Sequence, residues 1–257
     1  MQKSKINRIL FFVGVVTIAA ALTGCPEFLW STYDDVSHTS TKTMLPGDTL
    51  IVLPKTGDVA VSAWDQDKIS VTYTKHVRVA NEYGGYYFDP TPYFSQIGVS
   101  VAVSANTPGL TVEVTMPDRG HEPLSRSVDL DIKVPSDVDV DISGEVGDVS
   151  VEGVSGVIGV AEEVGDIEVT YPTLPEEDEA IVCATDVGDI DVLVPEDSSF
   201  VCDLRTGLGV IDVFDFWPLR AHRWNTLGAQ CAGTVGSGGA EVTLNSNIGD
   251  ISLRIDY

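Results

Sequence analysis

Basic side chains are scarce. The 257 residues hold 15 Lys and Arg against 39 Asp and Glu, a formal charge of −24. Three of the fifteen, Lys3, Lys5 and Arg8, precede residue 25, and without them the charge falls to −27. Such a surface repels phosphate backbones, which are held mainly through Lys and Arg, so nucleic acid is excluded as a partner. Histidine is rarer still: His38, His76, His121 and His222 show no metal-ligand spacing, and neither a Gly-x-Ser-x-Gly elbow nor an HExxH motif occurs. Helix-favouring Leu-Ala-Glu-Lys stretches are also few, which argues against a helical bundle. After residue 25 no apolar run is long enough to span a bilayer.

The one long apolar run, Ile9 to Leu22, follows the basic start and is too short for a comfortable span, as in an export signal. It ends in Leu22-Thr23-Gly24-Cys25, which resembles the lipobox of bacterial lipoproteins. That resemblance implies removal of residues 1–24, lipidation of Cys25, attachment to the cell envelope and, because residue 26 is Pro, the outer membrane if the cell has two. Two or more acyl chains at about 0.8 kcal/mol per buried methylene hold a soluble domain on a bilayer. An ordinary secretory signal with an incidental cysteine is the alternative. Residues 25–47 are rich in Ser and Thr without sustained periodicity and read as a tether.

Valine, isoleucine and threonine crowd residues 48–257, and one cassette recurs. Gly-Asp-Val or Gly-Asp-Ile stands at 57–59, 147–149, 165–167, 188–190 and 249–251, with a degenerate Gly209-Val210-Ile211. Counting the glycine as zero, positions −7, −5, +2 and +4 are apolar in all six cassettes. Residues two apart share one face of a strand, and the two pairs have opposite parity. One extra residue must be absorbed at Gly-Asp, which requires a corner or bulge there. The glycines at 147, 165, 188 and 209 step by about 20 residues, the period of a solenoid whose coils bury one another. The expected fold is all-β: a single-stranded, parallel β-helix-like solenoid over residues 48–257, its coils stacked in chain order. The longer gaps after Gly57 and Gly209 imply insertions or unaligned coils.

The chain here resembles the DUF4097 family of adhesin-like β-strand repeat proteins. The resemblance rests on Gly57-Asp58-Val59-Ala60-Val61 with Trp64 and Asp65, on Val128 to Pro135, and on the Gly-Asp-Val/Ile series. It implies the fold and a non-catalytic binding or structural role, with an unknown envelope or extracellular ligand. Two features depart from the pattern: Val210 replaces Asp, and an aromatic-rich segment intrudes at about 77–127.

Three groups of residues are candidate sites. Asp148, Asp166 and Asp189 should fall on neighbouring coils about 4.8 Å apart, where they repel unless each is hydrogen-bonded, capping its own turn, or a calcium-like cation sits between them. Tyr83, Tyr86, Tyr87, Phe88, Tyr93 and Phe94 lie among turn formers and suit either a recognition patch or a cap on the first coil. Phe214, Phe216, Trp217 and Trp224 invite the same two readings, with a lid over a coil favoured. Glu176 to Glu179 read as a solvated loop between coils. Cys183, Cys202 and Cys231 leave an odd thiol in an exported chain. Cys183 and Cys202, both in inward phases of adjacent coils but at offsets −5 and −7, would lie about 8 Å apart diagonally in perfect register and read as buried thiols, with a bridge open only if a bulge at Gly207 restores the register. Two other functions stay open: a carbohydrate-active enzyme using paired carboxylates in a groove, and an acidic spacer or cation binder.

Overall fold

The structure, a computed structural model, describes residues 29–35, 38–81, 89–104, 107–117, 124–175, 180–213, 215–216, 219–223 and 227–256. Strands β1 (Leu29–Asp34) and β2 (His38–Thr43) lead to a first coil, β3 (Thr49–Leu53) with β4 (Val59–Trp64), and to the 14-residue β5 (Lys68–Asn81). One helical turn, α1 (Thr91–Phe94), and β6 (Gly98–Val103) precede the second coil, β7 (Gly109–Thr115) with β8 (Leu124–Pro135). The next three coils are β9 (Asp139–Val146) with β10 (Val149–Glu152), β11 (Ile158–Val164) with β12 (Ile167–Thr170), and β13 (Ile181–Val187) with β14 (Ile190–Pro195). The sixth is β15 (Phe200–Leu208) with β16 (Ile211–Asp212). Short β17 (His222–Arg223) and β18 (Ala229–Val235) then lead to the seventh, β19 (Ala240–Ile248) with β20 (Ile251–Asp256).

Each coil gives one strand to each of two facing sheets. One runs β1-β5-β8-β4-β10-β12-β14-β20-β16, with β2 also on β5; the other runs β17-β18-β15-β19-β13-β11-β9-β3-β7-β6. This is the β-solenoid that the cassette predicts. Every cassette residue at −7, −5, +2 and +4 is buried, Val213 being the most exposed at 6%. Like residues stack in register: Val59, Val149, Ile167, Ile190, Ile251 and Ile211 occupy successive rungs of one sheet. The parity change falls at Gly-Asp, which ends one strand and precedes the next.

The stacking order corrects the expectation of coils in chain order. From one end the coils run second, first, third, fourth, fifth, seventh, sixth, so the C-terminal coil lies between its two predecessors. Cys183 and Cys202 are therefore not on adjacent rungs: β19 separates them, and Cys183, Cys202 and Cys231 are all buried free thiols.

Two segments also depart from their expected roles. Within the expected tether, β1 and β2 lie end to end along one edge of β5, and Met44 is fully buried. The long β5 offers an unpaired edge, and the Thr-Ser-Thr alternation of β2 suits a strand. The segment 77–127 likewise contains the end of β5, α1, β6, all of β7 and the start of β8, so much of it is solenoid.

Candidate functional site: the glycine-aspartate corner

At the corner the backbones of neighbouring coils approach more closely than a side chain permits. A Cβ on Gly165 would lie 1.8 Å from the Gly147 carbonyl oxygen, one on Gly188 1.9 Å from that of Gly165, and one on Gly249 1.9 Å from that of Gly188. Gly165 also has φ +156, at the limit of what other residues adopt. The column opens at Val128, opposite Gly57; on its far side lies the antiparallel β5, with Lys75 paired to Val128, and not another glycine corner.

The aspartates form a continuous ladder. The N–H of Asp58 donates to Oδ1 of Asp129 at 3.1 Å, that of Asp148 to Asp58 at 3.1 Å, and that of Asp166 to Asp148 at 3.0 Å. The series continues with Asp189 to Asp166 at 2.8 Å, Asp250 to Asp189 at 2.7 Å, and Val210 to Asp250 at 2.8 Å. Each carboxylate thus caps the next coil, not its own turn, and the N–H donors answer the repulsion that suggested a cation. Burial raises the pKa of the Asp58 carboxyl, and the Asp148 N–H works in the opposite direction. The stack order explains Val210: it sits on the last coil, where no further N–H needs a carboxylate. Asp129 escapes the sequence motif because Val128, not glycine, precedes it. Its second oxygen pairs with His76 Nε2 at 3.0 Å, while His76 Nδ1 meets Asp34 at 2.7 Å.

Position −3 forms a third column, unseen in the sequence. Thr185, Ser246 and Thr206 are buried there, and their hydroxyls donate to the carbonyls of Gly165, Gly188 and Gly249 at 3.2, 2.9 and 2.7 Å. Glu162 holds the same position with only 7% of its surface exposed, and its Oε1 is buried without a hydrogen-bond partner. The carboxyl fits because residue 144 is glycine, whose Cβ would meet Oε1 at 2.1 Å. Burial foremost, then the neighbouring Glu163, pushes its pKa up to about 7. The sequence signal was the alternation itself: an acid in an inward phase that three other coils fill with the hydroxyls of Thr185, Thr206 and Ser246.

The structure thus brings Asp148, Asp166 and Asp189 onto successive rungs. Among the described residues no three acidic, His or Cys side chains gather into a metal-holding group. Tyr93 and Phe94 pack half-buried on the core from α1, with the Arg126 guanidinium 5.5 Å from the Tyr93 ring centroid. Tyr83, Tyr86, Tyr87 and Phe88 lie outside the described residues, as do Cys25, Glu176 to Glu179, Phe214, Trp217 and Trp224. Phe216 is buried edge-to-face on Phe200 at 5.2 Å, as a lid on the sixth coil requires.

A family model described as Toastrack DUF4097 matches residues 125–254, more than half of the chain. The chain belongs to the Toastrack DUF4097 family. The matched region runs from β8 to β20 and takes in four of the six hydrogen bonds of the ladder in this Toastrack chain, Val210 to Asp250 included. Among solved structures it resembles a candidate cell adhesion protein from Clostridium sporogenes ATCC 15579, with 12% identity over 86% of this chain and 100% of that one, at a TM-score of 0.53. At that identity the likeness shows the fold alone. A candidate adhesin from Bacteroides fragilis NCTC 9343 shares 12% identity over 85% and 97% of the two chains, at a TM-score of 0.31. No curated protein matches this Toastrack chain.

Proposed function

We propose that the chain is a lipid-anchored protein of the cell envelope with a non-catalytic, adhesin-like binding or structural role. The observation that carries this reading is the use made of the recurring polar residues. One oxygen of each ladder carboxylate and the three buried hydroxyls are taken up in joining coil to coil. The solenoid therefore offers a rigid outer surface, strongly acidic overall, as the part free to meet a partner. The lipobox resemblance at Cys25 supports anchoring, with Pro26 directing the outer membrane where there are two. No helix among the described residues is long and apolar enough to cross a membrane. The name given to the Clostridium protein, a cell adhesion protein, agrees with display at a cell surface.

Labelled palmitate fed to cells tests the anchor. Label should enter the protein and be lost in Cys25→Ala, which should leave the membrane fraction. Label that persists in that variant, or a wild-type protein that takes up none, overturns the anchoring. A polysaccharide panel read by reducing-end release tests the role: turnover abolished by replacing one Asp or Glu would make it an enzyme.

A further inference from the structure

On five successive rungs the residue just before the corner glycine is an exposed aliphatic. Val146, Val164, Val187, Ile248 and Leu208 follow one another in register, with 39%, 45%, 43%, 48% and 43% of their surfaces exposed. At about 4.8 Å per rung they form a ridge about 19 Å long. Strand preference alone does not require it, since threonine satisfies that preference and stands at Thr56 on the neighbouring coil. Carboxylates flank the ridge in both chain directions. Glu145, Glu163 and Asp186 precede its first three members and are exposed; beyond the glycines lie the exposed Asp148, Asp166, Asp189 and Asp250.

We propose that this ridge docks a basic amphipathic helix: one apolar side chain per turn set along the ridge, with Lys or Arg on both flanks. A helical turn rises 5.4 Å, so turns and rungs drift apart by only about 2.4 Å over the ridge, within the reach of side chains. Charge selects among occupants. A second copy would bring its own acidic rows against these, and an anionic lipid surface would meet the same repulsion. A cationic helix gains on both flanks while covering the apolar row. The inference deepens the binding role proposed above and rests on it.

The test uses the full purified chain and a fluorescent 15-residue peptide with leucine once per turn flanked by lysines, read by anisotropy. Two controls are a scrambled peptide of the same composition and the same helix with glutamate for lysine. The lysine helix should bind saturably, at least tenfold more tightly than the scramble, and the glutamate helix should not bind. Val164→Asp and Val187→Asp should each weaken binding about tenfold with the melting temperature little changed. Val187→Thr, which keeps the side-chain shape, should weaken it about threefold and stands in if the Asp variants fail to fold. Equal binding of helix and scramble, no saturable binding, or variants that bind like wild type would overturn the proposal. A dimer seen by sedimentation and lost in Val187→Asp would assign the ridge to a second copy instead. Failure here leaves the palmitate experiment untouched, because that reads Cys25 alone.

Discussion

Replacing Glu162 with Gln should stabilise the protein above neutral pH and do little in acid. The acid's pKa moves from its ordinary 4.5 to about 7 on folding. Between those values the folded chain keeps a proton that the unfolded chain has released. Stability therefore falls as pH rises from about 4.5 to about 7 and is level, for this group, on either side. A displacement of about 2.5 pH units corresponds to about 3 kcal/mol. Because the corner opens to solvent beside Ser143, Ala161 and Asn245, about half of that is a sounder expectation. Gln keeps the shape above Gly144 and carries no charge, so it should gain about 1.5 kcal/mol at pH 8, or about 3–6 °C in melting temperature. At pH 4.5 the two proteins should melt together. Urea or thermal unfolding of both across pH 4 to 8 checks this. A Gln variant no more stable than wild type at pH 8, or one that keeps the same loss between pH 4.5 and 7, refutes the reasoning.

Other substitutions probe the corner separately. Gly165→Ala places a methyl 1.8 Å from the Gly147 oxygen and should cost about 3 kcal/mol or more in denaturant unfolding. Asp166→Ala removes the acceptor for the Asp189 N–H and should cost about 1 kcal/mol, whereas Val210→Asp, with no coil beyond it, should change stability by less than about 0.5 kcal/mol in the same assay. Burial pushes the Cys183 and Cys202 thiols up to about 12, so a thiol reagent at pH 8 should reach both only in denaturant. Calcium should leave the melting temperature unchanged, since N–H donors already meet the aspartate column; a rise reversed by chelator and absent in Asp166→Ala would restore the cation reading.

What the sequence made legible was local. Burial of Val149, Ile167 and Ile190 on one face, and the corner between oppositely phased strands, follow from side-chain parity and need no knowledge of the partner strand. Stacking order was not legible because each coil offers nearly the same in-register surface: Val242 and Cys202 are comparable choices beside Ile181. The Asp129 coil was hidden by Val128, which stands where the other corners have glycine and pairs with the antiparallel β5 and not with another corner. The strands β1 and β2 were hidden because pairing with the edge of β5 leaves no long apolar pattern. In the site, the aspartate column was visible, but its hydrogen bonds cross from coil to coil, and two of them, Asp148 to Asp58 and Asp250 to Asp189, join coils that the chain does not make consecutive. Glu162 and the exposed aliphatic ridge needed the register to be seen at all.

Insertion of the last coil between the fifth and sixth bears on assembly. During synthesis β15 and β16 emerge before β19 and β20, and the fifth coil then presents the very edge that the final coil must occupy. Early docking of the sixth coil there would let Asp189 cap the Val210 N–H, but Val210 has no carboxylate to offer Asp250. That arrangement is one rung short, and only the native order completes the ladder. The missing acid at Val210 thus leaves the native stack one hydrogen bond, about 1 kcal/mol, ahead of its near-identical alternative.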